Sequence, residues 1–383
     1  MASTDADVII AGLGAMGSQA AAELAGRGLR VLAFDRLAPP HAEGSSHGRS
    51  RIIRQAYFEH PLYVPLVLRA YELWAELERK SGRRLLTETG GLMIGPADST
   101  LVAGARRSAE THGLPHEMLD AADLRRRFPA FRVATDTVAL HEPRAGVLDP
   151  EGSITAALDL ARASGADLRL NEPIDSWEPV AGGVAVRTAS GRYRARRLVL
   201  AAGPWIGGLL GRHLPLEVER QVAFWFSPAR RPELVVPRKF PIWIWEWEPG
   251  HQAYGFPDAG DGVKVARHHD GGHTDIAQLE RRVFEAEVRD IRALVGRLLP
   301  DAAGELRASS VCCYTDAPDG HFVVGPLPGI PEVLVVSPCS GHGFKFAPVI
   351  AEIVADAVTG APAAFDLGPF AVDRLVEPGN LRR

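Results

Sequence analysis

Cysteine is scarce. The chain has three, two of them adjacent at Cys312 and Cys313, so a disulfide framework is excluded. Long apolar runs are missing too. No stretch approaches the roughly 18 residues that a membrane span needs, and the opening MASTDADVIIAG lacks the basic region of a signal peptide. Neither sign of charge dominates. Lys and Arg number 43 against 47 Asp and Glu, a formal net charge of −4, which argues against a protein that coats nucleic acid or an anionic membrane. No internal repeat or low-complexity linker interrupts the chain. These absences lead us to expect a cytoplasmic globular protein with no nucleic-acid or membrane partner. At 383 residues it has room for roughly two and a half units of about 150 residues each.

Glycine, by contrast, is plentiful at 39 residues, and the first of them form a pattern. Asp7 to Ala11 is a short apolar run suited to a buried parallel strand. Gly12-Leu13-Gly14-Ala15-Met16-Gly17 follows, then a helical stretch, then a second apolar run, Val31 to Phe34, ending at Asp35. Strand, glycine turn, helix, strand and acid within about 30 residues form a dinucleotide fingerprint. Gly12 permits the tight turn, Gly14 lets backbone approach a pyrophosphate, and Gly17 lets the helix pack on the strand. The helix N-terminus attracts phosphate charge, and Asp35 can accept hydrogen bonds from a ribose. The same spacing without ligand would be an ordinary strand–helix–strand turn.

Elsewhere the periodicity predicts helices over Pro61 to about Lys80, over 153–163, over 274–299 and from the end of the Ser340-Gly341-His342-Gly343-Phe344-Lys345 loop to about Val358. Two strands are expected from Val184 to Leu200, the second of them covering Arg197 to Gly203, and a last one over Glu332 to Val336. Residues 242–248, IWIWEWE, put Trp243, Trp245 and Trp247 on one strand face, either as core filling or with Trp245 against a substrate. Nucleotide-type pieces sit at both ends and in the middle, so the chain is expected to cross repeatedly between two domains. We place a nucleotide domain at 1–85, 146–215 and 320–383 and a substrate domain at 86–145 and 216–319. The small, basic loop from Gly44 to Arg54 suits a flavin better than a nicotinamide cofactor, and the late glycine loop could cap the flavin's other end.

The opening fingerprint, His47 to Tyr57, Tyr254-Gly255-Phe256-Pro257, Cys312 to Thr315 and SGHGFKF at 340–346 occur in one order and spacing. Together they resemble the monomeric sarcosine oxidase family, which includes N-methyltryptophan and pipecolate oxidases, over essentially the whole chain. The resemblance implies an α/β fold of D-amino-acid oxidase type: a Rossmann-like FAD domain plus a mixed-sheet substrate domain that covers the flavin. It implies FAD held covalently through Cys312, with adjacent Cys313 as competitor, since neighbouring strand residues face opposite ways. His47, Ser50 and Arg51 would contact the flavin, Gly341 and Gly343 would border it, and Ile174 would sit near the adenine unless it is plain core. Arg54 and Lys345 resemble a pair that holds the substrate carboxylate, through a planar fork and a point charge. Arg51 would favour negative charge on the reduced ring, and Lys264, beside flavin N5, would promote O2 reduction. Tyr254 and His268 would line the substrate pocket, with His269 a competitor for the second place. No metal site is read.

The implied reaction is oxidation of a secondary, N-methyl amino acid such as sarcosine to an imine, hydrolysed to amino acid and aldehyde, with O2 reduced to hydrogen peroxide. The partners are thus a small amino acid and O2, with the enzyme acting as a monomer. The alternatives are an oxidase of D-amino acids, glycine or cyclic imino acids, a dehydrogenase of the same superfamily, and a flavoprotein without turnover.

Overall fold

The computed structural model describes residues 4–210 and 214–376. Two large sheets organise it. The first has eight strands. At its centre Ala6–Ala11 lies parallel to Val31–Phe34 on one side and to the C-terminal half of Gly191–Leu200 on the other. Asp167–Arg169 extends one edge, and Ile330–Ser337 runs parallel to Gly191–Leu200 beyond it. The hairpin Ser176–Val180 and Gly183–Thr188 pairs with the near half of Gly191–Leu200, and Val323–Leu327 pairs with Ile330–Ser337.

The central strands are buried on both faces, as parallel strands covered by helices must be. One face carries the helices Ala15–Gly26, Val64–Ser81, Pro150–Ala163 and Ala347–Thr359, whose apolar sides share one core with it. Small side chains on Ala15–Gly26, among them the buried Ala20, Ala21 and Ala25, let it lie close against its neighbours. Asp149 starts Pro150–Ala163 by accepting the N–H of Gly152 at 2.9 Å, an ordinary N-cap.

The second sheet has nine strands. Glu217–Phe226 pairs with Leu306–Asp316 along its length, and then Val263–His268, His251–Phe256 and Ile242–Glu248 follow antiparallel. Gly91–Gly95 joins parallel to Ile242–Glu248 and leads on to Val138–Glu142 and Glu117–Leu119. A separate core fills its far face, with Trp243 and Trp245 packed among Phe131, Phe240 and the helix Glu285–Leu298. A three-stranded sheet of Arg51–Ile53, Gly146–Leu148 and Leu86–Glu88 lies apart from both.

Two expectations need correction. The helix expected over 274–299 spans only Glu285–Leu298. Ahead of it the backbone carbonyls of Glu280 and Arg282 accept from the Arg220 guanidinium at 2.7 and 2.8 Å, so they are spoken for outside any helix. The strand expected to run to Gly203 stops at Leu200, because Gly203, at φ +54°, opens a short 3-10 turn.

Candidate active site

One continuous cavity is bounded by the C-terminal ends of the parallel strands and by the face of the second sheet opposite its tryptophan core. Every residue assigned a site role from the sequence lines it except Gly17 and Trp245, and of the two named competitors neither Cys313 nor His269 does. Gly17 serves packing: a Cβ there would lie 1.8 Å from the Gly12 carbonyl oxygen. Trp245 points into the core, and the residue of that strand on the cavity is Ile244.

The nucleotide end combines a glycine turn with Asp35, beside which Arg36, His41 and Trp205 also border the cavity. Gly12 has φ +95°, open to glycine at little cost, and a Cβ on it would meet the Ala201 carbonyl oxygen at 2.5 Å. The first turn of Ala15–Gly26 carries no acid, leaving its amides for an anion. Asp35 is buried and accepts the N–H groups of Leu13 and Leu37 at 2.7 and 2.8 Å. Ile174 borders this part of the cavity.

The other end is a set of basic side chains. Lys264 is 3% exposed. Its Nζ donates to the carbonyls of Gly48 and Ser50 at 2.7 and 3.1 Å and to Ser50 Oγ at 3.1 Å, and it lies over the rings of Phe256 and Trp225. Burial, then the Arg51 charge, pushes its pKa well below the usual lysine value. Arg51 donates to the Ser50 and Ser45 carbonyls at 2.8 and 2.6 Å and lies 3.8 Å from Cys312 Sγ. His47 is held neutral, its pKa lowered to about 4 by burial and Arg51.

Strand alternation separates the two cysteines, and a left-handed turn one residue past the strand Val263–His268 separates the two histidines. Cys312 lines the cavity, whereas Cys313 is fully buried and outside it, its thiol pushed up to about 12 by burial and by Cys312. His268 faces the cavity, with Nδ1 3.3 Å from the Tyr314 hydroxyl, and burial followed by His269 drives its pKa far down. His269 turns away at φ +52° to bond Glu219 at 2.7 Å. Tyr254 lies edge-on to His268, and burial raises its pKa.

Arg54 and Lys345 close this end. Arg54 is 1% exposed and stacks on Tyr57 and Phe58. Its Nη1 donates to the Ala56 carbonyl at 3.1 Å and Nη2 to both Glu59 oxygens at 2.6 Å, while Nε is buried without a partner. Burial raises the Glu59 pKa, yet Arg54 outweighs it and holds the group at about 2. Lys345 Nζ donates to the His342 carbonyl at 2.7 Å, and burial and Arg54 lower it to about 7. In the loop before it, a Cβ on Gly341 would meet His268 at 2.8 Å, and one on Gly343 the Pro338 carbonyl oxygen at 1.4 Å.

Sequence reasoning missed Phe58, Glu59, Gln221, Ile244, Phe256 and His342, all on the cavity wall. Glu59 stands five residues past Arg54 in a segment without periodicity. Gln221 enters because it sits opposite Cys312 in the sheet register, a pairing that no local signal announces.

These residues fit an FAD. Buried polar atoms lacking any partner, His47 Nε2, Gln221 Nε2, Thr315 Oγ1 and Ser337 Oγ, belong to residues that line the cavity. Buried polar groups are normally satisfied, so a ligand rich in ring nitrogens and carbonyls suits them. The phosphate-type turn and Asp35 occupy the same cavity.

Comparison with known proteins agrees. Residues 7–357 match the family described as FAD dependent oxidoreductase. Monomeric sarcosine oxidase of Streptomyces avermitilis is 46% identical over 96% of this chain and 97% of that protein. N-methyl-L-tryptophan oxidase of Salmonella heidelberg is 39% identical over 96% and 99%. Among solved structures, the open form of NikD, an unusual amino acid oxidase essential for nikkomycin biosynthesis, superposes with a TM-score of 0.83 at 27% identity, over 96% of this chain and 97% of that one. The fold is therefore the D-amino-acid oxidase type expected from the sequence.

Proposed function

The chain belongs to the FAD dependent oxidoreductase family, and from that premise we propose that it oxidises a secondary, N-methyl amino acid such as sarcosine to an imine, hydrolysed to amino acid and aldehyde. Bound FAD would accept the hydride and pass the electrons to O2, giving hydrogen peroxide. The observation that carries the substrate class is the pair Arg54 and Lys345, two buried cations on one cavity wall. A carboxylate there can take the free Arg54 Nε and compete with Glu59 for the fork, while Lys345 supplies a point charge.

The other residues take consistent parts. His268, Tyr254 and Ile244 shape the space for the amine and its substituent. His268 is neutral and Tyr254 protonated, so neither opposes the unprotonated amine that must react. Arg51 places a positive charge in a dry site, and Lys264, whose proton burial and Arg51 make easier to lose, holds it more firmly as negative charge develops beside it during electron transfer. Cys312 is the residue we assign to the covalent flavin link, supported by its place on the cavity wall and by Cys313 facing away. Strand membership supports the division into FAD-binding segments 1–85, 146–215 and 320–383 and substrate segments 86–145 and 216–319. The large parallel sheet draws on the first set and the antiparallel wall on the second. We read the enzyme as a cytoplasmic monomer, because one chain supplies all of the residues named for the cavity. No helix among the described residues is long and apolar enough to cross a membrane.

The purified protein, precipitated with acid, tests the reading. Yellow colour should stay with the pellet, leave it in Cys312→Ala, and stay in Cys313→Ala. An N-methyl amino acid should bleach the flavin anaerobically and consume O2 with peroxide release in air. Bleaching without O2 uptake would make the enzyme a dehydrogenase, and bound flavin that no amine bleaches would remove the enzymatic reading.

A further inference from the structure

Arg54 is aimed by the segment that follows it, and that segment is held from the other layer of the molecule. Glu142, the last residue of Val138–Glu142, is 2% exposed. Its two oxygens accept the consecutive N–H groups of Gln55 and Ala56, each at 2.7 Å. The helix Thr100–His112 grips the next residues. Ser108 Oγ donates to the Tyr57 carbonyl, His112 Nε2 lies 3.0 Å from the Pro61 carbonyl, and a Cβ on Gly104 would sit 2.4 Å from the Phe58 carbonyl oxygen. The backbone from 55 to 61 therefore has little freedom, and Arg54 closes on it through the Ala56 carbonyl and Glu59.

Glu142 is the charged member of this clamp. A buried carboxylate is costly unless its oxygens are satisfied and a counter-charge is near. Burial raises its pKa, and the two amides and Arg54 oppose that. Glu142 does not line the cavity; it sits behind the wall rather than on it. Hydrogen bonds that involve a charged group are roughly twice as strong as neutral ones and tightly directed. Two of them on adjacent amides fix both position and tilt of the peptide that follows Arg54.

We propose that Glu142 is a positioning residue for carboxylate recognition: by holding the Gln55 and Ala56 amides it keeps the Arg54 guanidinium, with its free Nε, at the cavity wall where the substrate's carboxylate binds. The inference rests on Arg54 being the carboxylate-binding group.

The test uses holoenzymes of the parent, Glu142→Gln, Glu142→Asp and Arg54→Ala. Two quantities are read: KM and kcat for an N-methyl amino acid, and Kd for a small unreactive carboxylic acid and for its neutral carboxamide, from the flavin absorption spectrum. In Glu142→Gln one acceptor becomes an NH2 group facing an amide N–H. Acid affinity should fall about tenfold, the low end for a lost charge-assisted hydrogen bond. Carboxamide affinity should change less than about twofold, and KM should rise more than kcat falls. Glu142→Asp, which keeps the charge, should recover part of the loss. Equal weakening of acid and carboxamide, or no weakening, would show that Glu142 only stabilises the fold. If Glu142→Gln does not fold, Glu142→Asp decides: a loss confined to the acid supports the proposal, and a loss shared with the carboxamide, or none, overturns it. Arg54→Ala distinguishes the two failures. If it weakens both ligands equally, the carboxylate reading falls and the proposal with it; if it is selective while the Glu142 variants are not, only the proposal falls.

Discussion

At one end of the cavity the glycine turn and its acid come from one continuous stretch of chain, and at the other the charged side chains are scattered along it. Gly12, Gly14 and the amides of the first helix belong to a single stretch, residues 6–35, and the only charged side chain from that stretch in the cavity is Asp35. The reacting end gathers Arg51, Arg54, Lys264, His268, Cys312 and Lys345 from four separated parts of the chain. A polyphosphate is recognised by any turn that exposes N–H groups, so local geometry suffices there. Redox chemistry on a small amino acid needs several charges at fixed mutual positions in a dry space, and no short stretch can place them.

That contrast can be broken from either side. The largest effect is expected at the nucleotide end. A methyl group at Gly17 would lie 1.8 Å from the Gly12 carbonyl oxygen, so Gly17→Ala should displace helix from turn and yield colourless protein, read from the visible spectrum. Yellow, active Gly17→Ala would show that the turn tolerates more than its geometry suggests.

On the wall, the strand Ile242–Glu248 has one face in the cavity and one in the core. Trp245→Ala should destabilise the fold by about 3–5 kcal/mol, as large aromatic truncations do, while the ranking of small against bulky N-methyl amino acids persists. A changed ranking with intact thermal stability would put Trp245 on the substrate side after all.

Lys264→Met removes one charge and keeps length and bulk. Reoxidation of the reduced enzyme by O2 should slow more than about a hundredfold, or roughly 2.7 kcal/mol on the barrier, and anaerobic reduction by substrate much less. Stopped-flow measurement of the two halves separates them. Slowing confined to reduction would make Lys264 a substrate-positioning group and shift oxygen activation to Arg51.

The smallest effect concerns Lys345. Its pKa is depressed to about 7, so the ammonium is present below that pH and lost above it. Affinity for a carboxylic acid that carries no amine should therefore decline as pH rises through about 7, by roughly fivefold, and Lys345→Gln should flatten the profile. Affinity that rises with pH would exclude Lys345 as the titrating cation.

Much of this was legible beforehand, unevenly. The fingerprint from Asp7 to Asp35 could be read residue by residue because strand, turn and helix are neighbours in the chain. The helix Val64–Ser81 was legible from the apolar spacing of Leu66, Ala70, Leu73 and Leu77, of which all but the half-buried Leu73 are buried. The start of Glu285–Leu298 was not, because the Arg220 side chain that takes the carbonyls ahead of it lies some 60 residues away. Gln221 and Ile244 were equally invisible, since each reaches the cavity through strand partners distant in sequence, and Glu59 because its segment has no periodicity to place it.

The sequence by itself determined the nucleotide turn, the order of elements and the fact that Cys312 and Cys313, neighbours within one strand, face opposite ways. All of these follow from backbone geometry acting over a few residues. Only the tertiary structure decided which of the two cysteines and which of the two histidines meets the cavity, which face of the tryptophan strand is core, and that Arg54 reaches the cavity already paired with Glu59. Alternation along a strand has a phase but no outside reference. The reference is supplied by the layers packed on either side: Phe131, Phe240 and the helix Glu285–Leu298 claim Trp243 and Trp245 for the core, and the opposite face is left to bind.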